Sequence, residues 1–424
     1  MDKRVIAGMF ASLLLFPVRA AEPLPLAEAE RLALERDAVL AVLRAEVRAL
    51  QESAVADGSL PDPRLKLGAM SVPVDTFDLD QEPMTQLQVG IQQAFPPGDT
   101  LAIRSRRTNR LAAAREAAVR ERIRRVRRDV RLDWLETFYW EAAGRVVNES
   151  RDLFNQLVNI TQAHYAAGRE QTQQDVTRAQ LELGLLDDRL VRIRTMQDQQ
   201  RAKLGKWLGP AHARRPLTGE PPRLAEVPPA AAIAAGLDRH PVLEAAAARI
   251  AAAEDGVALA RQAYKPGWML DVTYGFRDGT NPGGDERADF VSAMVSLDLP
   301  LFTARRQDRR LAAARKRLDA ATDDRTEQRR RLVRMLDDAY ATWTLLGERV
   351  DYYRTYLVPK ATENAIAALN AYQSDTDDFN QLMRARIIEL ETRLQYIRLH
   401  VDHLKTQARL LYLAGESGDT HRGE

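Results

Sequence analysis

Few side chains in this chain of 424 residues are of the types that do chemistry, and their spacing argues against an active site. There is no cysteine, which excludes a disulfide, a thiolate nucleophile, a thiolate metal site and a lipid-modified N-terminal cysteine. Of six histidines, His164, His212, His240 and His421 stand apart, while His400 and His403 lie three residues apart and could share a helix face. Two neighbouring histidines with no third ligand are more often solvated surface than a metal site. Asn281-Pro282-Gly283-Gly284-Asp285 looks like a phosphate loop, but it joins two strand-like segments instead of opening a helix, so it reads as a hairpin turn. No Ser, His and Asp arrangement stands out. These residues predict no catalytic centre, no cofactor and no bound metal.

Two charge features remain. Arginines crowd two helical segments, Arg104 to Arg131 and Arg305 to Arg317, yet the chain carries 62 basic against 60 acidic residues. A nucleic-acid partner is not expected from that balance; solvated helix faces and inter-helix ion pairs are. Arginines just below a strand also suit anionic head groups or the potential at the mouth of a channel. The second feature is the acidic run Ser374-Asp375-Thr376-Asp377-Asp378.

The elements that carry these residues repeat. The hexapeptide RLAAAR occurs at Arg110–Arg115 and at Arg310–Arg315, and Val130, Trp140 and Gly144 return as Val333, Trp343 and Gly347, an offset of 203. Glu35-Arg36-Asp37-Ala38-Val39-Leu40 likewise matches Asp238-Arg239-His240-Pro241-Val242-Leu243. Lys3 and Arg4 before an apolar run, closed by Val18 and Ala20, predict a signal peptide over 1–20 and export of the rest. The first repeat, 21–209, holds short amphipathic helices, strands about 64–75 and 84–95, and long helices about 100–164 and 171–208. The first long helix alone would measure about 95 Å. A linker over 210–229 takes six of the 20 prolines. The second repeat, 230–415, has strands about 268–278 and 288–299 and helices about 303–371 and 376–413, with a kink expected at Pro359, and a disordered tail over 416–424 follows.

The strands alternate apolar and polar residues, as Val272, Tyr274 and Phe276 do with Thr273 and Gly275. In an exported protein that period suits a membrane β-barrel with a wet interior. Four strands cannot close a barrel and lipid tolerates no open edge, so several chains must share one.

This order of elements resembles the TolC family of outer-membrane efflux ducts over about Pro25 to Gly415. Phe95-Pro96-Pro97-Gly98 and Leu299-Pro300-Leu301-Phe302 stand at the strand-to-helix junctions, and Tyr165-Ala166-Ala167-Gly168 stands at a helical break. The resemblance implies a fold that joins an α-helical tunnel to a membrane β-barrel, both completed by a homotrimer in the outer membrane, with the tunnel in the periplasm. It implies as partners a periplasmic adaptor, an inner-membrane RND-type pump and outer-membrane lipid. Trp268, Tyr274, Phe276 and Phe290 would then be membrane-interface aromatics. The tips for adaptor or pump docking would be Tyr165, Ala166, Ala167, Gly168, Arg169, Tyr372 and Ser374.

The family's gate aspartates align here with Gln381-Leu382-Met383-Arg384-Ala385, where this sequence departs. Asp375, Asp377 and Asp378 are the candidates for a periplasmic gate or selectivity ring, with capping of the last helix as their competing role. The junction Gln92–Gly98 is similar to the branch paired with heavy-metal cation pumps, with drugs or other small organic compounds as the competing cargo. A periplasmic coiled-coil scaffold without a barrel is the alternative function, and an exported helical enzyme a more distant one.

Overall fold

The computed structural model describes residues 22–167, 173–374 and 379–415. The expected signal peptide, the tail, Gly168, Arg169, Asp375, Asp377 and Asp378 lie outside the described residues. Helices α1 (Leu26–Arg36) and α2 (Ala38–Gly58) lead into β1 (Arg64–Met70) and β2 (Gln86–Phe95), then α3 (Thr100–Ala166) and α4 (Gln173–Leu208). After α5 (Pro210–Ala213) the second repeat comprises α6 (Ala230–Gly236), α7 (Pro241–Gln262), β3 (Trp268–Phe276), β4 (Phe290–Leu297), α8 (Gln307–Tyr352), α9 (Val358–Gln373) and α10 (Phe379–Ala414).

The chain forms two compact units. One draws on residues up to Arg36, Val130–Arg223 and Arg349–Asp402, the other on Asp37–Asp129, Leu224–Glu348 and His403 onward.

In the first unit, Phe154, Leu382 and Met383 are buried between α3, α4, α9 and α10. The Trp134 indole is buried and donates to Leu24 O at 3.2 Å, while Arg131 pairs with Glu30 at 2.6 Å. The proline-rich stretch is more than a spacer here. Leu24 bridges Leu217, and Arg215 grips Glu28 at 2.6 Å, so backbone pairing and an ion pair fix what its composition presents as linker. The expected second helix is also interrupted: Tyr353–Leu357 form one π turn before Pro359. Proline has no N–H and its ring crowds the carbonyl four residues back; a wider turn absorbs both.

The second unit holds a four-stranded antiparallel sheet in the order β1-β2-β3-β4, above a core that includes Leu237, Leu243, Leu336 and Leu410. β1 ends at Met70, short of the expected 75, because Ser71 turns to φ 54° and leaves the extended region.

The duplication extends to side chains. In the first unit Gln197 Nε2 donates to Trp140 O at 3.0 Å across Gly144, where a Cβ would lie 2.9 Å from that nitrogen. In the second, His403 Nδ1 lies 3.1 Å from Trp343 O across Gly347, where a Cβ would lie 3.1 Å from the ring. Glycine at both positions lets a neighbouring side chain reach a helix carbonyl. His403 is a helix-joining residue stacked on Trp343, and no metal ligand is needed to explain its place beside His400.

Candidate functional site

The register of the sheet in the second unit sorts its side chains onto two faces. Leu65, Ile91, Val272 and Ala293 lie in one row of partners, and Leu67, Val89, Tyr274 and Val291 in the next. Because successive residues alternate, this face is apolar at every position except Gln93. It is also open: Leu67 is 75% exposed and Val291 73%. A bare apolar sheet of this kind would aggregate in water and is stable in lipid. Phe95 stacks on Trp268 with ring centroids 3.9 Å apart at one end of the face, and Tyr274 and Phe276 stand at the other, as two aromatic girdles would.

Phe290 does not join them. It pairs with Gly275 and so shares the opposite face with Thr273 and Asp271, with the Arg277 guanidinium 4.4 Å from its ring centre. Period-two parity excludes it from the apolar face.

The opposite face is polar and tied together. Asp271 is 4% exposed, accepts from Lys66 Nζ at 2.5 Å and Thr273 Oγ at 2.8 Å, and lies 3.3 Å from Gln92 Nε2. One carboxylate therefore clips three strands. A buried charge is tolerable only with such partners. Beyond the strand ends, Arg277 donates to Pro83 O at 2.5 Å and Arg287 to Glu82 O at 3.2 Å, binding the β1–β2 loop to the β3–β4 loop. The sequence did not point to this network; a lone Lys66 and Asp271 inside otherwise alternating strands were its only signal.

At the helical break, Tyr165 is exposed and ends α3 with Ala166, and Ala167 turns away. Ser374 donates its hydroxyl to Asn370 O at 2.8 Å and closes α9. Tyr372 is buried, 5.9 Å from Phe379 and 6.5 Å from His164 ring to ring, so it is a core residue of the break and not a docking surface as the sequence suggests. Among the described residues no three His, Cys, Asp or Glu side chains converge as a metal set, and no helix is long and apolar enough to cross a membrane.

Residues 232–416 match the family model for outer membrane efflux proteins. Among solved structures, a membrane protein from Pseudomonas aeruginosa is 18% identical with a TM-score of 0.79, covering 94% of this chain and 91% of its own. The outer membrane protein VceC of Vibrio cholerae is 19% identical, TM-score 0.75, covering 92% and 96%. CusC, described for folding and transmembrane channel formation, is 15% identical, TM-score 0.74, covering 94% of each chain. No curated protein sequence matches. The family-model match covers fewer than half of the residues: the second repeat is similar to outer membrane efflux proteins, and the solved structures show a shared fold.

Proposed function

We propose that three copies of this chain assemble into one duct, passively conducting substrates that an inner-membrane RND-type pump hands over through a periplasmic adaptor. Members of the family form trimers and work with such partners. The observation that supports the trimer here is the sheet, apolar on one face and unpaired along β1 and β4. Edges in lipid must be satisfied, and three sets of four strands would close a barrel of twelve. Mass measurement in detergent tests this: a trimer is expected, and any other state overturns the shared barrel. A protein soluble without detergent would favour the scaffold reading.

The breaks after α3 and α9, with exposed Tyr165, Ala166 and Ala167, are the proposed docking tips. Asp375, Asp377 and Asp378 remain the proposed gate ring, tested by reversing all three charges and reading single-channel conductance and cation block. No catalytic turnover is expected of a passive channel.

Heavy-metal cations are the second part of the proposal, supported by the Gln92–Gly98 junction and by the likeness to CusC. Deleting the gene and comparing metal with drug susceptibility distinguishes the two cargoes.

A further inference from the structure

Five arginines of the second unit converge on one groove. It encloses about 520 Å³ between α3, α7 and α8, just below the strands. Arg104 and Arg107 come from α3, Arg249 from α7, and Arg310 and Arg317 from α8. The floor is small and apolar, with Ala253, Gly256, Ala260 and Ala314, and a Cβ on Gly256 would meet nothing within 4 Å. None of the five arginines has an acidic partner among the described residues. Their neighbours do: Arg106 pairs with Asp255, Arg115 with Glu46, Arg120 with Glu244 and Arg122 with Asp37. In a chain with 60 acidic residues, five arginines thus line one groove without counter-charge.

Chain handedness fixes which side of the wall the groove opens on. Asp298 N–H donates to Gly267 O, so odd-numbered residues of β3 turn their peptide groups toward β4 and even-numbered ones toward β2. The Val272 carbonyl agrees, lying 2.9 Å from a Cβ built on Gly90 of β2. The even-numbered side chains, Val272 and Tyr274 among them, form the apolar face. For an L-residue in a strand running upward with its side chain toward the viewer, its own N–H and C=O point right. Seen from the lipid side, β2 therefore lies to the right of β3.

α3 descends from β2 as a right-handed helix, turning clockwise by about 100° per residue when seen from above. Ser105 and Thr108 face α2, with Thr108 bonded to Asp57, while Arg106 faces α7 through Asp255. Thr100, Arg104, Arg107 and Leu111 then fall on the side away from lipid. Arg110 lines a separate hollow with Ala102 and Asn109, apart from the groove.

We infer that this groove is a binding station for organic anions on the inner side of the duct, its guanidiniums holding a carboxylate, sulfonate or phosphate group and its alanine floor the apolar body. The volume is that of a small-molecule site. Unpaired arginines in a confined cleft concentrate anions and repel free cations. The station rests on the duct reading, because a passing solute is its occupant. A metal cargo would have to pass it masked as an anionic complex.

The test uses the full chain in detergent and in planar bilayers, with naphthalene-2-sulfonate as the probe. Calorimetry is expected to show binding that weakens about tenfold or more when Arg104, Arg107, Arg249, Arg310 and Arg317 are all changed to Gln, and about threefold for R310Q or R317Q alone. R110Q and R261Q, on other faces of the same helices, are expected to bind like the unmodified protein. Inorganic sulfate, which cannot use the floor, should bind at least about tenfold more weakly. In a salt gradient the fivefold variant should shift its reversal potential toward cation preference. Equal binding in the fivefold variant, or an equal loss in R110Q, overturns the station. Normal conductance with neither binding nor a shifted potential overturns it too and leaves the duct standing. A protein that forms no channel at all overturns the duct and the station with it.

Discussion

Asp37 and His240 occupy the same place in the two halves of the chain, and each caps the helix that leads up to a strand. Asp37 accepts from Leu40 N–H at 2.6 Å and holds Arg122 at 2.6 Å. His240 Nδ1 accepts from Val242 N–H at 3.3 Å, its ring buried against Tyr412 with centroids 5.2 Å apart. One cap is an ion in a salt bridge; the other must stay neutral, because a protonated Nδ1 has no lone pair to offer. Burial, with Arg124 adding to it, pushes the His240 imidazole down to about 4 from an ordinary 6.5. Duplication preserved the need for a cap while the electrostatics of meeting it diverged.

The largest way to break this comparison is Asp37→Ala. It removes a cap and leaves Arg122, largely buried, without that partner. We expect a loss of about 4 kcal/mol, read from the urea midpoint of the detergent-solubilised protein. Asp37→Asn, which keeps the cap acceptor, should cost less; an equal cost would show that capping contributes nothing.

Acid should act on the other half. The unfolded chain takes up a proton near pH 6.5 and the folded His240 only near 4, so stability from the neutral ring is complete above 6.5 and is lost as pH falls toward 4. The full loss is about 3 kcal/mol. In His240→Asn that slope should vanish, and its persistence would assign the acid response to other groups.

Tyr412 sharpens the contrast further. Its hydroxyl donates to the buried Glu121 at 2.9 Å, and burial, then Glu121, pushes the phenol up to about 12. Tyr412→Phe should cost about 1 kcal/mol and abolish the stability lost between pH 10 and 12. The smallest effects belong to the two glycine joints. A methyl at Gly347 meets the rigid His403 ring at 3.1 Å, whereas at Gly144 it meets the flexible end of Gln197. G347A should cost about 1 kcal/mol, while in G144A the gain in helix propensity offsets the displaced amide. Equal melting shifts would mean that the joints do not differ.

Much of this was legible in the sequence. The 203-residue offset, the period-two strands and the proline-bounded helices stand in the chain as written, because repetition and periodicity are local properties. The wet-face parity of Phe290 and the π turn before Pro359 are local too, whereas burial of Tyr372 depends on what packs from elsewhere. So does the arginine groove. Arg104 and Arg110 look alike in the sequence, and only the helix azimuth, set by α2 and α7 on either side, sends them to different hollows. The acidic run at 375–378 lies outside the described residues, so its competing roles as gate and cap stand as the sequence left them.

The open margins of the sheet have a genetic meaning. In the proposed trimer β1 and β4 pair only with another copy of the chain, so a subunit with one spoiled margin can still join a complex and ruin the seam it shares with a sound neighbour. In a cell making normal and spoiled copies equally, about one three-subunit duct in eight would contain none of the latter. A proline placed at Val89's partner Leu67, or at Val295 in β4, should therefore behave as a dominant trait, detectable as drug or metal sensitivity in a strain that still carries the intact gene.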